Sequence, residues 1–502
     1  MRKPNRFLLL GLTLLLLPSC QPGAPAEPSP VREIDSRVQL FVDDHLIADS
    51  DRVWRSLTGA YNTRPRKVAE NPIIKPDRPW EGYLVLQPGS AIYDEEEQIF
   101  KLWYNTFGNS RKTDVREFLC YATSKDGIHW EKPELGIVEF RGSKANNIVL
   151  DWVSWNHVVL KEPDDPDPNR RYKMAYWQHH DRPKHGIWVA FSPDGLNWTD
   201  YENNPVVPIW GSGDTFGLMR DPGTKQYWLY HKTSPGGPRK VSRLVSDDFI
   251  HWRDSRFVLE PDEFDPPHTE FYGVSAFPYG SSYLGLIWVF HTDIQTMDAQ
   301  LASSRDGVNW ERSVYRRPFM VLGYQVNGYG GSSFDSGMLF PISTPVVHDG
   351  EVWIYYSGFD NLHNAPAAEH KGQIGLMKIR QDGWAALDAT AEGYVTTHPL
   401  RFEGSTLKVN VELLAGGKGG ADAPWKEIFN DDPDNNGYLR VELQDRSGRT
   451  IPGYAASDST LSEEEGVYRT VSWEGGDLSG VTGPARLKFV YSRARLYSFQ
   501  IK

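Results

Sequence analysis

Apolar positions in this chain arrive in short runs of strand length, and three kinds of run repeat in a fixed order. A run with small residues comes first (residues 85–93, 157–160, 215–219, 272–277 and 337–347), and a run rich in aromatics follows it (99–104, 172–177, 227–230, 283–290 and 352–356). A third apolar run, clearest at 118–122, 186–191 and 375–379, leads into a signature that closes the unit. The signature reads Ser124-Lys125-Asp126-Gly127-Ile128-His129-Trp130, and it returns as Ser192-Pro193-Asp194-Gly195-Leu196-Asn197-Trp198 and as Ser304-Arg305-Asp306-Gly307-Val308-Asn309-Trp310. Ser246-Asp247-Asp248-Phe249-Ile250-His251-Trp252 is a degenerate copy, and Gln381-Asp382-Gly383-Trp384 a truncated one.

Trp130, Trp198, Trp252, Trp310 and Trp384 are spaced by 68, 54, 58 and 74 residues, the irregular period of a repeat whose loops vary while its core does not. Asp-Gly is a tight-turn dipeptide in which glycine takes positive φ and aspartate caps its own backbone. Five units of roughly 60 residues, each a small antiparallel sheet, predict an all-β fold whose first part, residues 37–384, is a five-bladed β-propeller. Residues 37–47 alternate well enough for a strand and are expected to complete the fifth blade. Beyond Trp384 the runs 407–411, 437–443, 468–473, 485–490 and 495–499 alternate between Gly, Asp and Pro turns. They predict a C-terminal β-sandwich over residues 385–502.

Composition narrows the setting. At 502 residues, 39% hydrophobic and 13% aromatic, the chain has ample material for two cores. Its 54 basic and 66 acidic residues leave a formal charge of -12, which removes nucleic acid from the expected partners. Arg2, Lys3 and Arg6 precede an apolar run at 7–17 that is short for a membrane span, and Leu17-Pro18-Ser19-Cys20 follows. This predicts a signal peptide over residues 1–19. Leu-Pro-Ser-Cys resembles the bacterial lipobox, which implies a lipid on Cys20 and a lipid-anchored address at the outer membrane, cell surface or periplasm; an ordinary secretory signal is the alternative. Prolines 22, 25, 28 and 30 make residues 20–36 a tether. Cys120, inside a strand, is the one other cysteine, which rules out a disulfide framework and reads as a buried inert thiol. Asp43-Asp44 reads as a solvated turn, and the acidic loop 431–437 as solvated in preference to a Ca²⁺ loop.

The expected site is the mouth of the propeller axis, where the first strands begin. Glu81, Asn156-His157, Asp214, Glu270 and Asp335 stand at those starts, four carboxylates among five blades. Acidic groups gathered at one opening repel one another and lose hydration, an arrangement usually kept for function. Strand-start caps, or ligands of an axial cation such as Ca²⁺, are the competing reading; no cofactor or metal is expected. Trp80, Trp155, Trp210 and Tyr272 accompany the carboxylates, and His157 and His268 add hydrogen-bonding rings. Carboxylates beside planar apolar faces suit a sugar, and glycosidic cleavage needs one carboxylic acid and one carboxylate. Blade packing is the commoner fate of tryptophan in a chain with 18 of them.

Five blades with carboxylates at the inner-strand starts, then a sandwich, resemble the five-bladed glycoside hydrolases, especially family 32, with family 43 as cousins. The chain is most similar to a group of bacterial secreted proteins related to the family 32 N-terminal domain. Family 32's Asp-Pro-Asn-Gly and Glu-Cys motifs have no match here. Its Arg-Asp-Pro has a counterpart in Arg220-Asp221-Pro222, but that string follows its strand instead of opening one, so Asp221 reads as a turn residue and Asp214 takes the site. The resemblance implies a monomeric glycoside hydrolase that touches membrane only through its anchor and acts on carbohydrate. Glu270 is expected as acid, Asp214 as base or stabiliser, and Glu81 or Asp335 as the remaining catalytic carboxylate. A glycan-binding lipoprotein without catalysis is the alternative, and a phosphorylase a third, for which Arg316-Arg317 is the one evident cationic pair.

Overall fold

The computed structural model describes residues 30–57, 66–86, 89–107, 117–151, 153–179, 184–208, 213–312, 314–323, 333–366, 371–414, 436–463 and 466–502, and it is all-β apart from short 3₁₀ turns. The predicted signal, Cys20, most of the tether, Trp210 and residues 431–435 lie outside the described residues.

Each predicted unit is an antiparallel set of strands built in chain order, the fourth and fifth continuous with each other through a parallel bridge between Met297 and Met338. In the first, Leu84–Leu86 and Ala91–Asp94 pair with Ile99–Phe107, which pairs with Phe118–Ser124, which pairs with Ile148–Asp151. The second runs Ser154–Lys161, Tyr172–Gln178, Gly186–Ser192, with Thr199–Asp200 and Val207–Pro208 on its edge. The third runs Phe216–Arg220, Tyr227–Thr233, Lys240–Ser246, Trp252–Leu259. The fourth runs Thr269–Tyr279, Ser282–His291, Thr296–Ser304, with Trp310–Arg312 and Pro318–Met320 outermost. In the fifth, Met338–Pro341 and Val346–His348 pair with Glu351–Phe359, and that with Gly372–Arg380. The second strands are aromatic because they are covered on both faces: Trp103, Tyr104, Tyr230, Tyr355 and Tyr356 are fully buried.

The repeated signature joins neighbouring sheets. Ser304 Oγ accepts from Gly307 N at 2.9 Å, and Asp306 Oδ1 accepts from Val308 N and Asn309 N, both at 2.8 Å. This self-bonded turn holds Gly307 at φ +67 and turns its carbonyl outward, where Tyr230 OH of the preceding sheet donates to it at 2.9 Å. Gly195 O likewise accepts from Trp103 Nε1 of the first sheet (2.8 Å), and Gly127 O from Tyr355 OH of the fifth (2.9 Å). A turn on the first sheet that docks on the fifth places those two side by side. In the degenerate copy Phe249 holds φ +73 and its ring is fully buried.

The N-terminal segment departs from expectation. Gln39–Leu40 pairs with Ser498 and Phe499, Ile47–Asp51 with Gly393–Thr397, and Trp54–Leu57 with Ala385–Ala389, so residues 37–47 belong to the C-terminal sheets and not to the fifth unit. Arg66–Lys67 takes the expected place instead, paired with Met377 and Lys378, and Ile74 bridges Ile374 before the chain enters the first sheet. Alternation marks residues 37–47 as a strand, but many sheet edges offer the same match.

Beyond Trp384 every predicted strand is present: Leu407–Leu413, Tyr438–Gln444, Arg469–Trp473, Arg486–Ser492 and Ala494–Ile501. They fall in two antiparallel sheets that share one buried cluster, including Leu407, Val441, Leu487, Phe489 and Phe499.

Candidate functional site

One cavity of about 390 Å³ is lined by residues at or beside the start of the first strand of all five sheets: Leu84, Asn156, Thr215, Tyr272 and Met338. Leu86, Trp155, Asp214, Trp288, Phe340, Ser357, Phe359 and His363 are also in its wall. Trp155 stands exposed at φ +42 with its ring 4.5 Å from that of Phe107.

Of the four expected carboxylates, Asp214 alone lines this cavity. Its side chain is 40% exposed, and Oδ1 lies 2.5 Å from Lys232 Nζ. Burial, the largest single effect, pushes this carboxyl up; the charge and hydrogen bond of Lys232, with the hydroxyl of Thr215, together outweigh it and hold the group below the usual carboxylate range. Lys232 Nζ sits 3.9 Å from the centre of the Tyr272 ring. Arg239 lies 5.3 Å from the same ring and forms an ion pair with Glu270, so Tyr272 separates two acid-base pairs. Tyr272 OH is 3.2 Å from His363 Nε2.

Glu81 and Asp335 are both buried, and neither is among the residues that line the cavity. Glu81 Oε2 accepts from the backbone N of Asp77 (2.8 Å) and Arg78 (2.9 Å), while Oε1 accepts from Tyr104 OH (2.7 Å) and meets Lys132 Nζ at 2.6 Å. Asp335 Oδ2 accepts from Tyr356 OH (2.8 Å) and meets Lys67 Nζ at 2.5 Å. An asparagine completes each group, Asn147 donating to Tyr104 OH at 2.7 Å and Asn71 to Tyr356 OH at 3.4 Å. The same carboxylate, tyrosine, lysine and asparagine recur in two adjacent sheets. This repetition fits a joint of the repeat.

Several other expected contacts are also displaced. His157 is buried, its Nδ1 2.6 Å from Asn105 Oδ1 and its Nε2 3.0 Å from Trp103 O, and burial lowers its pKa to about 4. It ties the second sheet to the first and does not meet the cavity. Trp80 donates from Nε1 to Asn147 Oδ1 at 2.8 Å and packs edge-on to Phe140. His268 is exposed at φ +72, and its carbonyl accepts from Thr292 N at 2.9 Å; it too is outside the cavity wall.

Asp221 is a turn residue, accepting from Thr224 N at 2.6 Å and from Tyr283 OH at 2.5 Å. Asp43 is not solvated; it is buried against Arg305 at 2.7 Å. Cys120 is a buried free thiol. Arg316 is engaged by Asp262 and Asp265. Lys232, Arg239 and His363 were not singled out from the sequence; the first follows directly on the aromatic run 227–230, which is the signal that could have found it. Among the described residues, no three His, Cys, Asp or Glu side chains are placed to hold a metal ion.

No protein-family model matches the chain. It is similar to an invertase of Schwanniomyces occidentalis, 24% identical over 355 residues that cover 68% of this chain and 59% of the relative. A 1,2-beta-oligomannan phosphorylase of Thermoanaerobacter sp. (strain X514) is 27% identical over 173 residues, covering 33% of this chain and 50% of the relative. Sucrose-6-phosphate hydrolase of Escherichia coli is 28% identical over 149 residues, covering 23% and 30%. The chain thus spans between about a third and three-fifths of the length of these curated relatives. The resemblance to glycoside hydrolases read from the sequence is borne out by these relatives.

Proposed function

We propose that the chain is a glycoside hydrolase whose five sheets are the blades of a propeller, with the axial cavity as its active site. The C-terminal pair of sheets is read as a β-sandwich that includes the strap 32–57. The observation that carries the reading is the convergence of all five first strands on one cavity, with half-exposed Asp214 in its wall beside Tyr272. An aspartate kept ionised by Lys232 suits a base, nucleophile or stabiliser of positive charge, not a proton donor. Glu270 is the acid in this scheme, which requires bound substrate to draw Arg239 away from it. Glu81 and Asp335 take no part.

Purified protein assayed on a panel of fructans, mannans and plant and algal polysaccharides, with and without inorganic phosphate, tests the reading. Asp214→Asn and Glu270→Gln are each expected to lower product release by about 10²-fold or more. Unchanged turnover in both variants would refute the assignment. A second reading, a glycan-binding protein without catalysis, is favoured by the fact that each of the four carboxylates carries a Lys or Arg partner. It predicts retained sugar binding and no product in wild type and variants alike. Phosphate-dependent product would instead place Lys232 and Arg239 on the phosphate, as in the activity named for the oligomannan phosphorylase.

The lipid anchor belongs to the same proposal. Labelling of cells with a tagged fatty acid is expected to mark the wild-type chain and not Cys20→Ser.

A further inference from the structure

The cavity has two unlike walls. Asn156, Asp214 and Thr215, from the second and third sheets, supply hydrogen-bonding groups. Leu84, Leu86, Met338, Phe340 and Phe359, from the first and fifth, supply hydrocarbon. Four of these five are at most 4% exposed, and they belong with Trp288 and Phe290 to one continuous apolar cluster against which Phe340 packs. Among the described lining residues, the hydrogen-bonding side chains on this side are Tyr83 of the first unit and Ser357 and His363 of the fifth, and His363 is already engaged by Tyr272 OH at 3.2 Å.

A sugar ring seated here meets this asymmetry directly. Ring hydroxyls facing Asn156, Asp214 and Thr215 exchange water for protein partners. A hydroxyl facing the opposite wall gives up its water and finds carbon, which is unfavourable unless the hydrogen bond is replaced. A methyl group at the same place is favoured, because it leaves water for a surface of its own kind.

We propose, building on the glycan-active reading above, that the sugar unit bound in the axial cavity is a 6-deoxyhexose, with its methyl group against Leu84, Leu86, Met338 and Phe359. The volume, about 390 Å³, lies in the lower part of the range of small-molecule sites, roughly 300–1,000 Å³.

Matched pairs that differ only at C6 test this: L-rhamnose with L-mannose, L-fucose with L-galactose, and D-fucose with D-galactose. Each pair is offered to the full chain as free sugars in calorimetric titration and as aryl glycosides of both anomers. The expected result is that one 6-deoxy member is preferred over its 6-hydroxy partner by about 10- to 100-fold in affinity or kcat/KM. Phe340→Tyr, which places a polar group on the partly exposed edge of the apolar wall, should narrow that ratio by about 10-fold while leaving the melting temperature close to wild type. The wild-type ratio stands as a test even where a variant fails to fold. Equal use of both members, or preference for the 6-hydroxy sugar, overturns the inference while leaving the glycan reading in place. Failure of every pair overturns it too, and failure on the polysaccharide panel as well removes the glycan reading with it.

Discussion

Gly307→Ala offers a quantitative test of how the sheets are joined. An added Cβ would lie 2.3 Å from Trp228 Cζ3 and 2.7 Å from Tyr230 OH, and the backbone is held at φ +67. Left-handed backbone costs an alanine about 1–2 kcal/mol. Forcing a methyl into a filled aromatic contact adds about 1–3 kcal/mol, and the strained Tyr230 bond to Gly307 O is worth about 1 kcal/mol. The expected loss is therefore about 3–6 kcal/mol. Gly136→Ala is the control, because Gly136 has φ +71 with nothing within 4 Å of the added carbon, so only the backbone cost remains. Both variants are to be unfolded in guanidinium chloride, followed by tryptophan fluorescence, with free energies compared at matched slopes. If Gly307→Ala is no more harmful than Gly136→Ala, the docked-turn account of sheet joining is wrong.

Three further outcomes follow from the charges. Burial lowers His157 and His231 to about 4; the unfolded chain binds these protons from about pH 6.5 downward and the folded chain does not. Stability is then fully present above pH 6.5 and falls by about 3 kcal/mol per histidine as pH drops towards 4; denaturation midpoints measured from pH 7 to 4.5 should fall, and fall less in His231→Gln. Lys132→Met strands buried Glu81 and should cost on the order of 3 kcal/mol, with Glu81→Gln restoring part of it in the double variant, read by thermal melting. Lys232→Met removes the charge that opposes burial at Asp214, so the acidic limb of the pH-rate profile should move to higher pH.

The repeat was legible because its turn is written locally: Ser304, Asp306 and Gly307 satisfy one another within four residues. Strands after Trp384 were legible for a similar reason, since alternation in 438–444 records one buried face. The candidate site was only half legible. Asp214 and Glu81 look alike in sequence, each at a strand start, and what separates them is the partner. Lys132 comes from the segment after Phe118–Ser124 and Lys67 from the strand Arg66–Lys67, contacts that no local spacing encodes. The apolar wall was hidden for the opposite reason, because Leu84 and Met338 read as ordinary core until five strand starts meet.

The strap and the strand Arg66–Lys67 carry a consequence for how the molecule is made. Gln39 and Leu40 wait for Phe499 and Ser498, and Lys67 for Met377 and Asp335. These segments therefore stay unsatisfied until partners several hundred residues later in the chain have been made. Such long loop closures slow folding.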